Sequence, residues 1–137
     1  MIYERKINYY ETDAMQIVHH SNYIRYMEEA RINALANIGL PYREIEKEGI
    51  LIPVLSVSCQ YKHPSRYDDI LLINVKVKEY NGIKLIMEYE VTNKETGELV
   101  LIGETKHCFT NKELRPVNLK KARLQMHEKM NELFQYC

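Results

Sequence analysis

An α+β fold, in which a mostly antiparallel five-stranded sheet wraps one long helix and a further helix closes the chain, is predicted from three observations. An apolar face at helical spacing follows a short first strand, and four long β-type segments then succeed one another. Between neighbouring segments stand Asn81-Gly82 and Thr96-Gly97, residues that accept the positive φ of tight hairpin turns. The 137 residues read as a single domain, 1–137, large enough to bury a core without disulfide or metal support.

Residues 2–9, rich in Ile and Tyr, form the first predicted strand and lead into a loop carrying Asp13. Ser21 or Asn22 is placed to cap the helix that follows, without the Glu or Gln three residues on that would complete a capping box. Tyr23, Met27, Ala30, Ala34 and Ile38 recur at steps of four, three, four and four, which lines one helix face up to Gly39. The small residues Ala30, Ala34 and Ala36 let a sheet approach that helix closely. A short helix over 41–48 has Pro in its first turn and Gly49 behind it. Strands are expected over 50–61, 69–78, 84–92 and 99–110. Leu71, Ile73, Val75 and Val77 alternate with Asn74, Lys76 and Lys78 in the clearest of them. A terminal helix over 119–134 carries Leu, Met and charges at helical spacing and is expected on the outside of the sheet.

Composition excludes several classes of function. Nineteen basic and nineteen acidic side chains cancel, so no whole-molecule field draws the chain to nucleic acid or to an anionic membrane. Its apolar runs fall well short of the ~20 residues a spanning helix needs, so membrane insertion is not expected. The first residues lack a secretory pattern, and a cytoplasmic location is expected. Cys59, Cys108 and Cys137 are odd in number and widely spaced, which reads as two core residues and a terminal thiol rather than a disulfide frame. Ile70, Leu72 and Ile86 fall on the sheet face away from the helix, are apolar, and call for cover by self-association.

Chemistry concentrates in residues 9–31. Asp13 stands in a loop, His19 and His20 follow, and a helix begins. A loop carboxylate attacks a carbonyl or deprotonates water, while free N–H groups at a helix start hold the resulting oxyanion, which is the equipment of thioester hydrolysis. Glu11 is close enough in sequence to influence Asp13, although alternation also allows it to point elsewhere. Adjacent His19 and His20 diverge and have no third ligand at a useful spacing, so no metal site is expected. His63, His107 and His127 read as isolated surface or core histidines, and Glu28 with Arg31 as an i, i+3 ion pair.

Tyr9-x-x-x-Asp13, Ile17-Val18-His19-His20, Tyr23, Glu28-x-Ala30-Arg31 and the later block Tyr61-Lys62-His63-Pro64-Ser65-Arg66-Tyr67-Asp68-Asp69 carry a resemblance. With the Arg115-Pro116-Val117 tail they make the chain similar, over essentially its whole length, to the 4-hydroxybenzoyl-CoA thioesterase branch of the hotdog superfamily. Within that branch it resembles the Tol-Pal-associated acyl-CoA thioesterases. The resemblance implies a hotdog fold and hydrolysis of an acyl-CoA to free acid and CoA, without a cofactor. It implies Asp13 as the catalytic carboxylate, the His20 N–H as the group that polarises the thioester carbonyl, and roles for Tyr9 and the His20 side chain. The acyl group is expected along the helix between subunits of a dimer or tetramer, near Ile17, Val18, His19, Tyr23 and Met27. Lys62, Arg66 and Arg115, with Lys84, are the candidates for the CoA phosphates. Gln16 departs from the pattern, because many relatives carry Gly there. Two other readings use the same fold: a hydratase or dehydratase, which needs a His and an acid arranged for proton transfer beside the thioester, and an acyl-CoA-binding protein without turnover.

Overall fold

The computed structural model describes residues 1–136, with side chains through residue 135; Cys137 lies outside the described residues. Five strands form one antiparallel sheet in the order β1-β3-β4-β5-β2, with β1 Ile2–Lys6, β2 Val54–Tyr61, β3 Ile70–Tyr80, β4 Lys84–Asn93 and β5 Leu99–Cys108. Helix α1, Ser21–Asn37, lies against the inner face of the sheet, and α2, Tyr42–Lys47, follows it. Alternation decides which strand residues meet the helix: Leu71, Ile73, Val75 and Val77 of β3, and Leu85, Met87, Tyr89 and Val91 of β4, are all buried. From α1 they meet Tyr23, Tyr26, Met27, Ala30 and Ala34, the face set by the three-and-four spacing. Met27 shows how close the approach is: a Cβ added at Gly103 of β5 would lie 2.5 Å from its Sδ. A side chain at 103 would require the thioether end of Met27 to move.

Several element boundaries differ from what the sequence suggests. Strand β1 stops at Lys6, and Tyr9–Glu11 form a single 3₁₀ turn instead of a strand end. Residues 50–53 lie outside β2: Ile50 and Ile52 are buried, but only Leu51 touches a neighbouring strand segment, through a bridge to Thr110. Pro53, without an N–H to give to a ladder, stands just before β2 begins. The terminal helix is two pieces, α3 Leu119–Ala122 and α4 Leu124–Tyr136, broken at Arg123, whose guanidinium reaches the Glu48 carbonyl (Nη2, 2.7 Å) and carboxylate (Nε, 3.0 Å). Helix α4 buries one face, Met126, Met130 and Leu133, and leaves the other exposed, as a helix on the outside of the fold does.

Two polar clusters shape the interior. Glu11 is buried, and Arg5 of β1 grips both its oxygens, at 3.0 and 2.7 Å. The Asn8 N–H adds a bond to the same carboxylate at 2.8 Å, while Arg5 Nε binds Glu29 of α1 at 2.9 Å and its guanidinium lies 4.8 Å from the Tyr26 ring centre. Glu11 therefore points inward to Arg5 and leaves Asp13 alone on the other side of the loop. The second cluster contains Arg31, which is buried and donates to the Tyr89 hydroxyl (3.1 Å) instead of pairing with Glu28. From Tyr89 a chain runs to Thr105 (2.6 Å) and on to His107 Nε2 (2.8 Å). Burial, with Arg31 nearby, pulls the His107 imidazole down to about 4.

Strand β2 leaves the sheet unfinished. Val57, Cys59 and Tyr61 pair with the inward residues Thr105, Gly103 and Leu101, so they share the helix side of the sheet. Yet Val57 is 37% and Tyr61 50% exposed, and Leu55 beside them 60%. Ile70, Leu72 and Ile86, by contrast, are already half-buried among their own neighbours. The largest uncovered apolar surface of the sheet is its β2 edge. Cys59 and Cys108 are half-buried free thiols.

Glu11→Ala removes the bidentate partner of Arg5 and leaves it only Glu29, so it is expected to lower stability by about 1.5–3 kcal/mol in urea unfolding. The unfolded chain binds a proton at His107 near 6.5 while the folded chain resists it until about 4, so stability falls as pH drops through that window. The loss reaches about 3 kcal/mol, and unfolding midpoints of His107→Gln should be flatter over the same range.

Candidate active site

The segment between β1 and α1 folds into a miniature hairpin. Thr12 and Val18 face each other across it, with Asp13 N–H donating to the Ile17 carbonyl (2.9 Å) and His19 N–H to the Glu11 carbonyl (2.9 Å). Its tip is a turn closed by Gln16 N–H on the Asp13 carbonyl (2.9 Å), with Gln16 at φ 63°. This left-handed conformation is what glycine adopts without penalty, so a glycine at this position serves the backbone of the turn. Asp13 Oδ1 accepts the Met15 N–H at 2.8 Å, a side-chain turn that fixes the carboxylate and leaves Oδ2 uncommitted. Val18 N–H bonds the carbonyl of buried Ser65 at 2.8 Å, and Asn22 Nδ2 bonds the Glu11 carbonyl at 2.8 Å. These bonds tie the hairpin to the β2–β3 connection and to α1.

Helix α1 begins differently from the sequence reading. His20 is the residue at the cap, Ser21 and Asn22 lie inside the helix, and no side chain caps in the ordinary way. Instead His19 Nδ1 sits 2.8 Å from Ser21 Oγ and accepts the Ser21 N–H at 3.3 Å, while the Asn22 and Tyr23 N–H groups turn back to the carbonyls of His19 and His20. Among the described residues the His20 N–H has no hydrogen-bond acceptor. It stands at the positive end of the helix.

A crevice of about 380 Å³ opens at this point, lined by Asp13, Met15, Ile17, Val18, His20 and Tyr23 on one side and by Tyr61, Lys62, His63 and Pro64 on the other. Its walls are largely aromatic and aliphatic. Tyr23 and Tyr61 rings lie 5.8 Å apart, and His20 meets the Tyr61 ring edge-on at 6.3 Å. Burial pushes the Tyr23 phenol above its usual range and keeps it protonated. His63 Nε2 lies 3.0 Å from Glu98 Oε2, in the turn between β4 and β5.

Of the residues singled out from the sequence, Asp13, Ile17, Val18, His20, Tyr23 and Lys62 converge on the crevice. Tyr9 does not: it is 76% exposed, its ring meets Tyr67 edge-on at 5.6 Å, and no hydrogen bond joins it to Asp13. His19 is stacked on His20 at 4.4 Å and occupied with Ser21, outside the lining. Met27 is wholly buried beneath Gly103, because the helix face that carries it turns into the sheet. Arg66 and Arg115 are exposed on loops away from this lining, as is Lys84 at the start of β4. Tyr61, His63 and Pro64 were not foreseen as walls, since only the packing of the β2 end beside the hairpin brings them there. A slightly larger crevice, about 420 Å³, lies between Leu40, Glu48 and Met126, where Arg123 and Lys129 already bind the Glu48 and Gly39 carbonyls and no histidine is present.

The chain is similar to several known proteins. The chain is 34% identical over 120 residues to the Bacillus subtilis protein named "Putative acyl-CoA thioesterase YneP", covering 87% of this chain and 86% of that one. The crystal structure of a DHNA-CoA thioesterase from Staphylococcus aureus superposes with a TM-score of 0.90 at 30% identity, covering 96% of this chain and 88% of that chain. That of a hypothetical protein from Aquifex aeolicus does so with a TM-score of 0.84 at 36% identity, covering 92% and 98%. The sheet wrapped on α1 is thus the hotdog fold. With residues 7–131 matching its family description, the chain belongs to the thioesterase-like superfamily.

Proposed function

We propose that this protein hydrolyses acyl-CoA thioesters to the free acid and CoA, with Asp13 as nucleophile or general base and the α1 N-terminus as oxyanion site. The observation that carries the reading is one crevice holding both a carboxylate with a free oxygen and an unpartnered amide at a helix start. Membership of the superfamily supports it, as do the names of its relatives. On the residue pattern of 9–31 we place the chain in the 4-hydroxybenzoyl-CoA thioesterase branch, beside the Tol-Pal-associated enzymes.

Hydrolysis needs an attacking oxygen and a place for the negative charge that develops on the carbonyl. Asp13 Oδ2 supplies the first, either by bonding the carbonyl carbon or by taking a proton from the water that does. The His20 N–H supplies the second, and losing one such donor typically costs ~2.7–4 kcal/mol of transition-state stabilisation. Ile17, Val18, Tyr23 and Tyr61 enclose the acyl group and keep water from it. Lys62 is the one phosphate candidate on the rim and takes that contact.

The active form is a homo-oligomer, dimer or tetramer, joined at the β2 edge. That edge exposes Leu55, Val57 and Tyr61, and Tyr61 is also a wall of the crevice. A second chain on the edge therefore covers apolar surface and closes the acyl site together.

Free-thiol release from a panel of aromatic and aliphatic acyl-CoAs tests the activity, and Asp13→Asn should slow it by at least ~100-fold; equal turnover by the variant removes Asp13 from the mechanism. Sedimentation at micromolar concentration should show a dimer or tetramer, and Val57→Lys should shift it toward monomer with loss of turnover. A fully active monomer contradicts the assembly.

A further inference from the structure

His63 is the one histidine of the crevice that meets a carboxylate among the described residues. His20 has stacked and edge-on ring neighbours but no such partner. The pair is half-exposed, 46% for His63 and 47% for Glu98, and the backbone of each partner is held by hydrogen bonds. The Lys62 and His63 N–H groups converge on the Val100 carbonyl, at 2.8 and 3.2 Å, where the chain leaves β2, and Pro64 follows at once. Glu98 closes the β4–β5 hairpin, its carbonyl accepting the Asn93 N–H at 2.9 Å and its own N–H meeting Thr96 Oγ1 at 3.2 Å. A carboxylate on Nε2 selects the tautomer with the proton on that nitrogen and leaves Nδ1 with its lone pair. An oriented base of this kind is what the water of a hydrolysis requires, and the Asp13 carboxylate is not free to serve as one if it is itself the attacking group.

We propose that His63, oriented by Glu98, is the proton carrier for the hydrolytic water at the Asp13 crevice. The proposal rests on the reading of Asp13 given above, in its nucleophilic form. Asp13 Oδ2 bonds the thioester carbon, and the C–S bond breaks with its electron pair leaving on sulfur, giving an acyl-aspartyl anhydride and the CoA thiolate. Water then attacks the anhydride. The bond from the acyl carbon to the Asp13 oxygen breaks, its pair returning to the carboxylate, and the proton lost by water passes to His63 Nδ1. The imidazolium, facing Glu98, delivers that proton to the thiolate. One water is consumed and one acid and one thiol are formed, with no oxidant or reductant.

The test is rapid-mixing measurement of thiol release by the full chain, using whichever of benzoyl-CoA and octanoyl-CoA turns over faster. His63→Gln should release about one thiol per chain in a fast first phase and then turn over about 100-fold more slowly than wild type, with kcat and KM falling together so that kcat/KM is nearly kept. Glu98→Gln should change kcat in the same sense by about 10-fold. In His63→Ala, added imidazole should restore steady turnover. Unchanged turnover in His63→Gln, a raised KM with intact kcat, or loss of kcat/KM without a first phase would each overturn the proposal. Asp13→Asn separates the two readings: it should abolish both phases, and a variant that keeps them refutes the role of Asp13 itself.

Discussion

The grip of Arg5 on Glu11 is the constraint on which the site depends. One guanidinium joins β1, the turn at residues 9–11 and, through Glu29, helix α1. Tyr3 adds a further bond to Glu29, at 2.8 Å. These elements come from three separate stretches of chain, and only together do they set where the Asp13 hairpin begins relative to the helix N-terminus. Bidentate geometry matters here because a planar fork fixes direction as well as distance. The carboxylate nearest to Asp13 in the loop is thereby consumed in structure, and Asp13 is left to the crevice.

The crevice at the start of α1 is therefore shaped by backbone more than by a gathering of polar side chains. The His20 amide, the Met15 amide on Asp13 and the left-handed turn at Gln16 are all main-chain features. Side chains in the crevice are mostly apolar walls. Such a site gains electrostatic leverage from being dry, since each amide dipole acts more strongly where water is excluded. The exposed β2 edge is where a single chain falls short of that condition.

Much of this was legible from residue order. The helix from Tyr23 to Ile38, the hairpins at Asn81-Gly82 and Thr96-Gly97, and the inward set on β3 follow from local periodicity and turn chemistry, and each stands in the fold. Asp13 and His20 were readable because they are near neighbours in sequence and both touch the same loop. What could not be read depends on partners far along the chain. Glu11 finds Arg5, Arg31 turns to Tyr89 rather than to Glu28, and His63 meets Glu98. Tyr9 falls outside the crevice lining for a related reason, as the first strand ends at Lys6 and the 3₁₀ turn that follows sets its ring against Tyr67. The break at Arg123 likewise reflects its bonds to Glu48, which helical spacing cannot reveal.

Helix α1 and strand β5 touch at Gly103, where Met27 fills the room that a side chain would take. The two positions therefore share one fixed volume, and their sizes are reciprocal. A chain descended from this one that acquires Ala at 103 has to turn the end of Met27 aside or carry a shorter residue at 27. Met27 sits less than two turns from the helix start that borders the crevice, so the size of the residue at 27 is a core setting made close to the site.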